Sequence, residues 1–447
     1  MFEAVINDLL NGDALAQPRI ERRLRLVLLD TATVAIAALP VPLLVELQRQ
    51  RAHLDGGSVR LPGMACGLST TASAAVLTTA ACWQERVGGD AQSHGRPALG
   101  VVPAVLAIAH ADGRTLATAL RALLLGYEVA ARLGRAYQVP PGEHVDGTWQ
   151  TVGAAVAAAA LMTTDPRTIA EAAAMATCVM TRSLFDPVRE GRTGRLLYAA
   201  VAVERGMTLA SAACAGFRGA SQPANATALQ PLLPGPPMEG ETPAAILDAY
   251  AKFDPGARHT HYAAAATRMW LSRYGPWRQN AEGDATISLR IYPEAIRYCG
   301  QREPLNRIQA QFSLVFAVAA TLLYGSLVSE AYNEESLVEP QLKDLMDRIQ
   351  LEPDPAPGGR WAELQVHRKG GPTRSERVHG IDGDLRDAEE EERLVEERRR
   401  LLVPVLGEKD AVELIQHWWS GPLTAPVVPP AVATTWAENL GSPITRD

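Results

Sequence analysis

The sequence predicts a mostly α-helical protein in which a large all-helical domain carries a smaller, inserted α+β domain. Three observations lead there. The chain has 447 residues, more than one simple core accommodates. Residues 1 to about 250 are rich in Ala and Leu, with few β-branched runs and several segments of helical length. Beyond them the pattern changes, and the first clean apolar–polar alternation, Thr286–Ile291, sets in.

Taken in order, the expected helices are Arg19–Leu39, Thr70–Cys82, Val102–His110, Leu116–Ala136, Gly153–Met162 and Pro166–Thr181. The stretch Ala154–Leu161 is apolar all round, which marks the inside of a bundle rather than a surface helix. Ser221–Thr242, rich in Pro, Gly and Asn, reads as an irregular connection. Strands are expected at Thr286–Ile291, Trp361–His367 and Glu376–Ile381, with helices Pro304–Tyr324 and Glu339–Ile349 between the first two. The charge run Asp387–Arg400 reads as an exposed helix laced with i,i+4 pairs. A terminal helix, Ala411–Trp419, follows, and Gly421–Asp447 reads as an extended arm or a disordered tail. The expected domains are therefore 1–255 with 401–447, all helical, and 256–400, α+β.

Composition narrows the function classes. A net charge of −7 argues against a nucleic-acid binder, which needs clustered Lys and Arg to neutralise phosphates. Five scattered cysteines without a C-x-x-C pair argue against a disulfide framework or a structural zinc site. The acidic N-terminus lacks the basic-then-apolar order of a signal peptide, so a reducing, cytoplasmic setting is expected. The segment LVLLDTATVAIAALPVPLLVEL has the length of a membrane span, but Asp30 interrupts it and Pro40 and Pro42 break it. A buried core helix ending near Leu39 is the expectation, with no membrane partner.

Seven segments then carry a resemblance. They are RLVLLDTATVAIAAL, RPALGVVPAVLAIAHADGRT, ALLLGYEVAARLGRA, GEHVDGTWQTVGAAVAAAA, GRLLYAAVAVERG, KFDPGARHTHYAAAA and EPLNRIQAQFSLVFAVAATLLYG. In that order and spacing the chain resembles the MmgE/PrpD family along essentially its whole length. That family includes 2-methylcitrate dehydratase, cis-aconitate decarboxylase and iminodisuccinate epimerase. The resemblance implies a large all-helical domain with a smaller α+β lid domain, a homodimer, and chemistry without metal or cofactor on small carboxylates held in a cleft between the two domains.

Such reactions make or break a bond next to a carboxylate. They need cationic groups to hold the carboxylates and an acid/base to move a proton. Relatives carry an acidic D-x-D-D-T segment followed by His-Pro; here the corresponding stretch runs from Trp83 to Pro97. Arg96 stands where the His is usual; Glu85 or Asp90 is the candidate for one lost carboxylate, and His94 the candidate for the place of the usual His. Relatives also have Lys where this chain has Arg195, and often His where it has Tyr198. An arginine grips a carboxylate in two places but is no tunable base. The resemblance keeps His144, Arg258 and His261, and sets Tyr298 near a functional tyrosine. His144, His261 and Tyr298 are thus the expected catalytic residues, with Arg96, Arg195, Arg258, Asp90 and Tyr198 binding substrate.

Each has a competing structural reading. Arg258 and His259 would cap a helix starting near Tyr262, and Arg96 would be a surface arginine of a loop that lost its function. A metal site at His144, His259 and His261 has no zinc-like spacing behind it. His110, His367, His379 and His417 belong to no motif. Three functions stay open: a lyase of dehydratase or decarboxylase type, an isomerase or cyclase working by proton transfer, and a binding member without turnover.

Overall fold

The computed structural model describes residues 2–221, 229, 232–234, 244–277, 285–355, 359–368 and 370–438. Helices dominate, as the sequence predicts, and the largest sheet has four strands drawn from residues 286–378. The first hydrophobic core is built by α1 (Pro18–Ala38), α2 (Thr70–Trp83), α3 (Pro97–Ala111), α4 (Leu116–Ala136), α5 (Trp149–Met162) and α6 (Tyr198–Cys214). Ser69 caps α2 by accepting from the Ala72 amide at 3.2 Å, and Thr115 caps α4 from Thr118 at 3.3 Å. α1 stops before Leu39-Pro40, and no single helix among the described residues is long and apolar enough to cross a membrane. α3 starts at Pro97 rather than Val102, because proline suits the first helical turn, where no amide partner is needed.

α5 sits at the centre, and its alanines let neighbouring backbones close in. A Cβ on Gly126 of α4 would lie 2.6 Å from the Gly153 carbonyl oxygen and 2.8 Å from Ala157 Cβ of α5. Gly126→Ala is therefore expected to destabilise the fold by about 1–3 kcal/mol through overpacking, read as a lower unfolding midpoint in denaturant.

The second core comprises α7 (Arg258–Tyr274), α8 (Leu314–Tyr324) and the sheet. Strands β1 (Thr286–Ile291), β2 (Ile349–Pro353), β3 (Ala362–His367) and β4 (Thr373–Val378) lie in the order β4-β3-β1-β2. β1 is antiparallel to β3, with Ile291 opposite Ala362, and parallel to β2, with Ile287 opposite Ile349. The parallel pair requires a crossover, which α8 and helix Pro340–Arg348 supply. Period-two alternation buries Ile287, Leu289 and Ile291 on one face.

Further expectations change. Pro304–Tyr324 is not one helix: a short helix, Arg307–Gln311, stops, and Ser313 caps α8 by accepting from the Phe316 amide at 3.2 Å. Ser313 also donates to the Gln301 carbonyl at 2.6 Å, a bond an unbroken helix would forbid. The last strand lies three residues earlier than Glu376–Ile381. The charge run is only half exposed: it belongs to α9 (Ala388–Leu406), which buries Leu394, Arg398 and Leu402 against the first core. Helix α10 (Glu408–Ser420) follows; residues 422–429 run along the start of α4, Val427 donating to Arg114 at 3.0 Å, and a further helix spans Pro430–Glu438. Residues 439–447 and most of the connection at 221–242 lie outside the described residues.

The chain passes between the cores at 251–257 and again at 381–385. The two passages touch, Ala251 donating to the Gly383 carbonyl at 2.8 Å. Gly383 has φ +100°, and a Cβ there would lie 2.1 Å from the Ala251 oxygen, so only glycine fits. This junction holds the site.

Candidate active site

The loop after α2 is pinned to the first passage: Gly89 and Asp90 pair with Tyr250 and Ala249. Between them and the mouth of α5 lies a cavity of ≈ 140 Å³, close to the ~150 Å³ that admits a benzene-sized molecule. It shares Ser93, His94, Tyr250, Arg258 and Arg360 with an outer cavity of ≈ 680 Å³.

At its base is a buried ionic cluster. Glu85 has φ +51°, a strained backbone for a non-glycine residue, and its carboxylate takes three cations. Arg96 Nη1 reaches Oε1 at 2.7 Å, Arg195 Nη2 reaches Oε2 at 2.7 Å, and Lys252 Nζ reaches Oε1 at 3.2 Å. Asp146 adds a second carboxylate: Arg96 Nε donates to Oδ1 at 3.2 Å and its Nη2 to Oδ2, while Arg195 lies 3.6 Å away. Burial alone would raise the Glu85 pKa, but Arg96, Lys252 and Arg195 together hold it well below the carboxylate range. Three cations against two carboxylates leave the cluster one positive charge in excess while Lys252 is protonated.

Lys252 is the titratable member. Its ammonium donates to the Glu85 carbonyl at 2.8 Å and the Gly256 carbonyl at 3.1 Å besides the Glu85 carboxylate. Burial nevertheless pulls its pKa down to about 8, against the opposing pull of Glu85. A neutral amine is thus accessible near physiological pH.

Three neutral imidazoles share the wall. Burial lowers His144 to about 4, and its Nδ1 accepts from the Asp146 amide at 3.0 Å, which leaves the ring proton on Nε2. Phe185 stacks on it at 5.7 Å. His259 bonds Tyr292 Oη through Nδ1 at 2.7 Å and stacks on Tyr298, with burial pushing its pKa well down. His94 is lowered by burial, and its Nδ1 is buried without a hydrogen-bond partner among the described residues. Two guanidinium groups complete the lining. Arg258 bonds Asp384 and lies 3.6 Å over the Tyr250 ring, but its buried Nη1 has no hydrogen-bond partner among the described residues. Arg360 faces Glu294 at 3.7 Å.

The structure brings together His144, Tyr298, Arg96, Arg258, Glu85, Asp90 and His94. Asp90 is filled by its own surroundings, accepting from the Gln92 and Ser93 amides and from Arg135. Arg195 is fully buried and clamps Glu85, without lining the cavity. Tyr198 donates to the Leu184 carbonyl at 3.0 Å and meets only the edge of His144. His261 points elsewhere, 3.3 Å from the Pro255 carbonyl. The helix starts at Arg258, not near Tyr262, and this turns His259 into the cavity and His261 out of it.

Lys252, Asp146 and Arg360 are what the sequence reading missed, and it weighed His259 only as a helix cap or metal ligand. One signal was present: the chain has four lysines against thirty-nine arginines, and one of the four stands in KFDPGARHTHYAAAA. Among the described residues no group of three His, Cys, Asp or Glu is arranged to hold a metal ion. His261→Ala is expected to keep turnover within a few-fold and to cost about 1–3 kcal/mol of stability from lost packing, since the Pro255 carbonyl still accepts from the Tyr332 hydroxyl at 3.0 Å. A loss of turnover above a hundredfold with unchanged stability would contradict that.

Two comparisons bear on the chain. The family model for the MmgE/PrpD N-terminal domain matches residues 12–229, and that for the MmgE/PrpD C-terminal domain matches residues 255–420. No curated protein matches it. Lys252 falls between the two matched stretches.

Proposed function

The chain belongs to the MmgE/PrpD family, a family of dehydratase and lyase type, and on that premise we propose that it is a proton-transfer lyase acting beside a carboxylate of a small acid. The observation that carries the proposal is the buried Lys252 amine, held at about 8 in a cavity also lined by Arg96, Arg258 and Arg360. A substrate carboxylate meets Arg258 Nη1 and Arg360, which stabilise the charge that develops when the neighbouring C–H bond breaks. Lys252 takes that proton as the free amine. The electron pair moves into the carboxylate and then expels the leaving group, which collects a proton from His144 Nε2 or the Tyr298 hydroxyl. Arg96 and Arg195 act indirectly, by keeping Glu85 ionised beside the amine.

A second reading, epimerisation or another isomerisation, is favoured by one feature: neutral His259 shares the cavity with Lys252, so acceptor and donor for one carbon are both present. Proton NMR in D2O separates the two. The protein is incubated with 2-methylcitrate, cis-aconitate, iminodisuccinate and a set of unsaturated and cyclic acids. Deuterium uptake beside a carboxylate with elimination supports the lyase, and uptake without elimination supports the isomerase. No exchange with any of these acids would favour a binding member without turnover.

The pH profile follows from the same groups. Lys252 must be unprotonated to act, so kcat/KM is expected to rise through an apparent pKa of about 8 and level off above it. His144 is neutral throughout that range, so no inflection near 6.5 is expected from it.

A further inference from the structure

Arg398 comes from the charge run of α9, yet it is fully buried and its guanidinium reaches the junction between the cores. Nε and Nη2 donate to Asp30 Oδ1 at 2.8 and 2.7 Å, and Nη2 also donates to the Lys252 carbonyl at 2.6 Å. Asp30 Oδ2 accepts from the Gly88 amide at 3.3 Å, in the loop that carries Glu85. The neighbouring Arg86 repeats the pattern, donating to the Phe253 carbonyl and to Glu397. Two arginines thus grip consecutive carbonyls of the passage that presents Lys252. One of them is tied to a carboxylate in the middle of α1.

We propose that the Arg398–Asp30 pair is a positioning device for the Lys252 amine, holding the 252–253 backbone and the Glu85 loop in one fixed register. It rests on the reading of Lys252 as the base, and it explains what a buried ion pair is doing far from any substrate. A buried pair of this kind is weak evidence for stability, because desolvation offsets most of the attraction. Its geometric demand is high: one planar fork must serve Asp30 and the Lys252 carbonyl at once, which an ammonium at the same position does not do. Arg398 is not a direct electrostatic partner of the amine. The charges acting most strongly on Lys252 are those of Glu85, Arg96 and Asp146. Its influence is exerted through position.

The four lysines make the test direct. With lysine labelled at 13Cε, the full chain gives four signals and Arg398→Lys gives five, and adding Lys252→Met in each background identifies the one that matters. Its titration midpoint is then followed in wild type, Arg398→Lys and Asp30→Asn, with Gly126→Ala as a control that destabilises without touching the junction. Arg398→Lys keeps the charge but loses the fork, so Lys252 relaxes towards solvent. Its midpoint is expected to move upward by about half a unit or more towards the ordinary lysine value. Removing the Asp30 charge would by itself lower an amine's pKa, so an upward shift in Asp30→Asn also reports movement. The control is expected to leave the midpoint where it was. Unchanged midpoints in both folded variants, or an equal shift in Gly126→Ala, would overturn the proposal. If Arg398→Lys does not fold, Asp30→Asn decides by the same criterion. This readout needs no turnover, so it stands apart from failure of the lyase reading. Where exchange with an acid is seen, the two variants are expected to lose kcat with little change in KM.

Discussion

Replacing Lys252 by methionine is expected to lower turnover by about 10²–10⁴-fold, the usual contribution of a positioned acid/base. Methionine keeps an unbranched chain of similar length in the same slot, so the packing around it is retained. Glu85 still has Arg96 and Arg195, at 2.7 Å each, so its carboxylate stays paired. The carbonyls of Glu85 and Gly256 lose a donor, a cost of about 1–3 kcal/mol each if they stay buried. The variant should fold and bind a carboxylate while failing to exchange its protons. A folded Lys252→Met retaining more than a tenth of wild-type turnover would remove the amine from the mechanism. The linkage has a definite sign. The folded pKa of about 8 lies below the ordinary 10.5, so the unfolded chain binds more protons between those values. Wild-type stability is therefore expected to rise as pH climbs from about 8 towards 10.5, and the methionine variant should lack that rise.

Glu85→Ala should have the largest effect on stability. It leaves Arg96, Arg195 and Lys252 facing one another with only Asp146 between them. Breaking a buried pair by removing one partner typically costs about 3–5 kcal/mol, because an uncompensated charge stays in the interior. Denaturant unfolding should show a lower midpoint at an unchanged slope. Glu85→Gln keeps the shape and one acceptor oxygen but sets an amide NH2 against the donors on the other side, so its cost should be smaller than that of Glu85→Ala without being zero. Lys252 then loses the carboxylate that supports its ammonium form, so the ascending limb of kcat/KM should move to below pH 8. A limb that moves upward would show that Glu85 does not act on the amine. Glu85 itself, held low in the fold, contributes stability at neutral pH that is lost as acid approaches its folded pKa.

Much of the scaffold was legible in the sequence because it rests on local rules. The interval Leu116–Ala136 reads as a helix from its periodicity and its Thr115 cap, and it is one. Thr286–Ile291 reads as a strand because alternation cannot be satisfied by a helix with one buried face. The failures have local causes as well. Ser313 accepts an amide more cheaply as a cap than inside a helix, so it divides Pro304–Tyr324 and turns Phe312 into the cavity. Asp387–Arg400 offers exposed i,i+4 pairs on one face, while Leu394, Arg398 and Leu402 on the other are drawn inward.

The site was legible in part. His144, Arg258 and Tyr298 were identified by their place in an ordered set of segments, and they do line the cavity. His259 and His261 are two residues apart in one helix, and such residues point in different directions. Which of the two faces the cavity depends on where α7 begins, and that is set by the passage from Lys252 to Ala257.

By itself the sequence determined the helical class, the change of pattern after residue 250, the family, and a set of chemically suitable residues. These follow from periodicity, capping and composition, all properties of neighbouring residues. Only the tertiary structure decided the charge state of the site. Burial pulls Lys252 down to about 8 against the pull of Glu85, 167 residues away along the chain, and Arg398 reaches its carbonyl from 146 residues beyond. Desolvation and Coulomb interaction act through space, so they exist only once the two cores have brought these groups together.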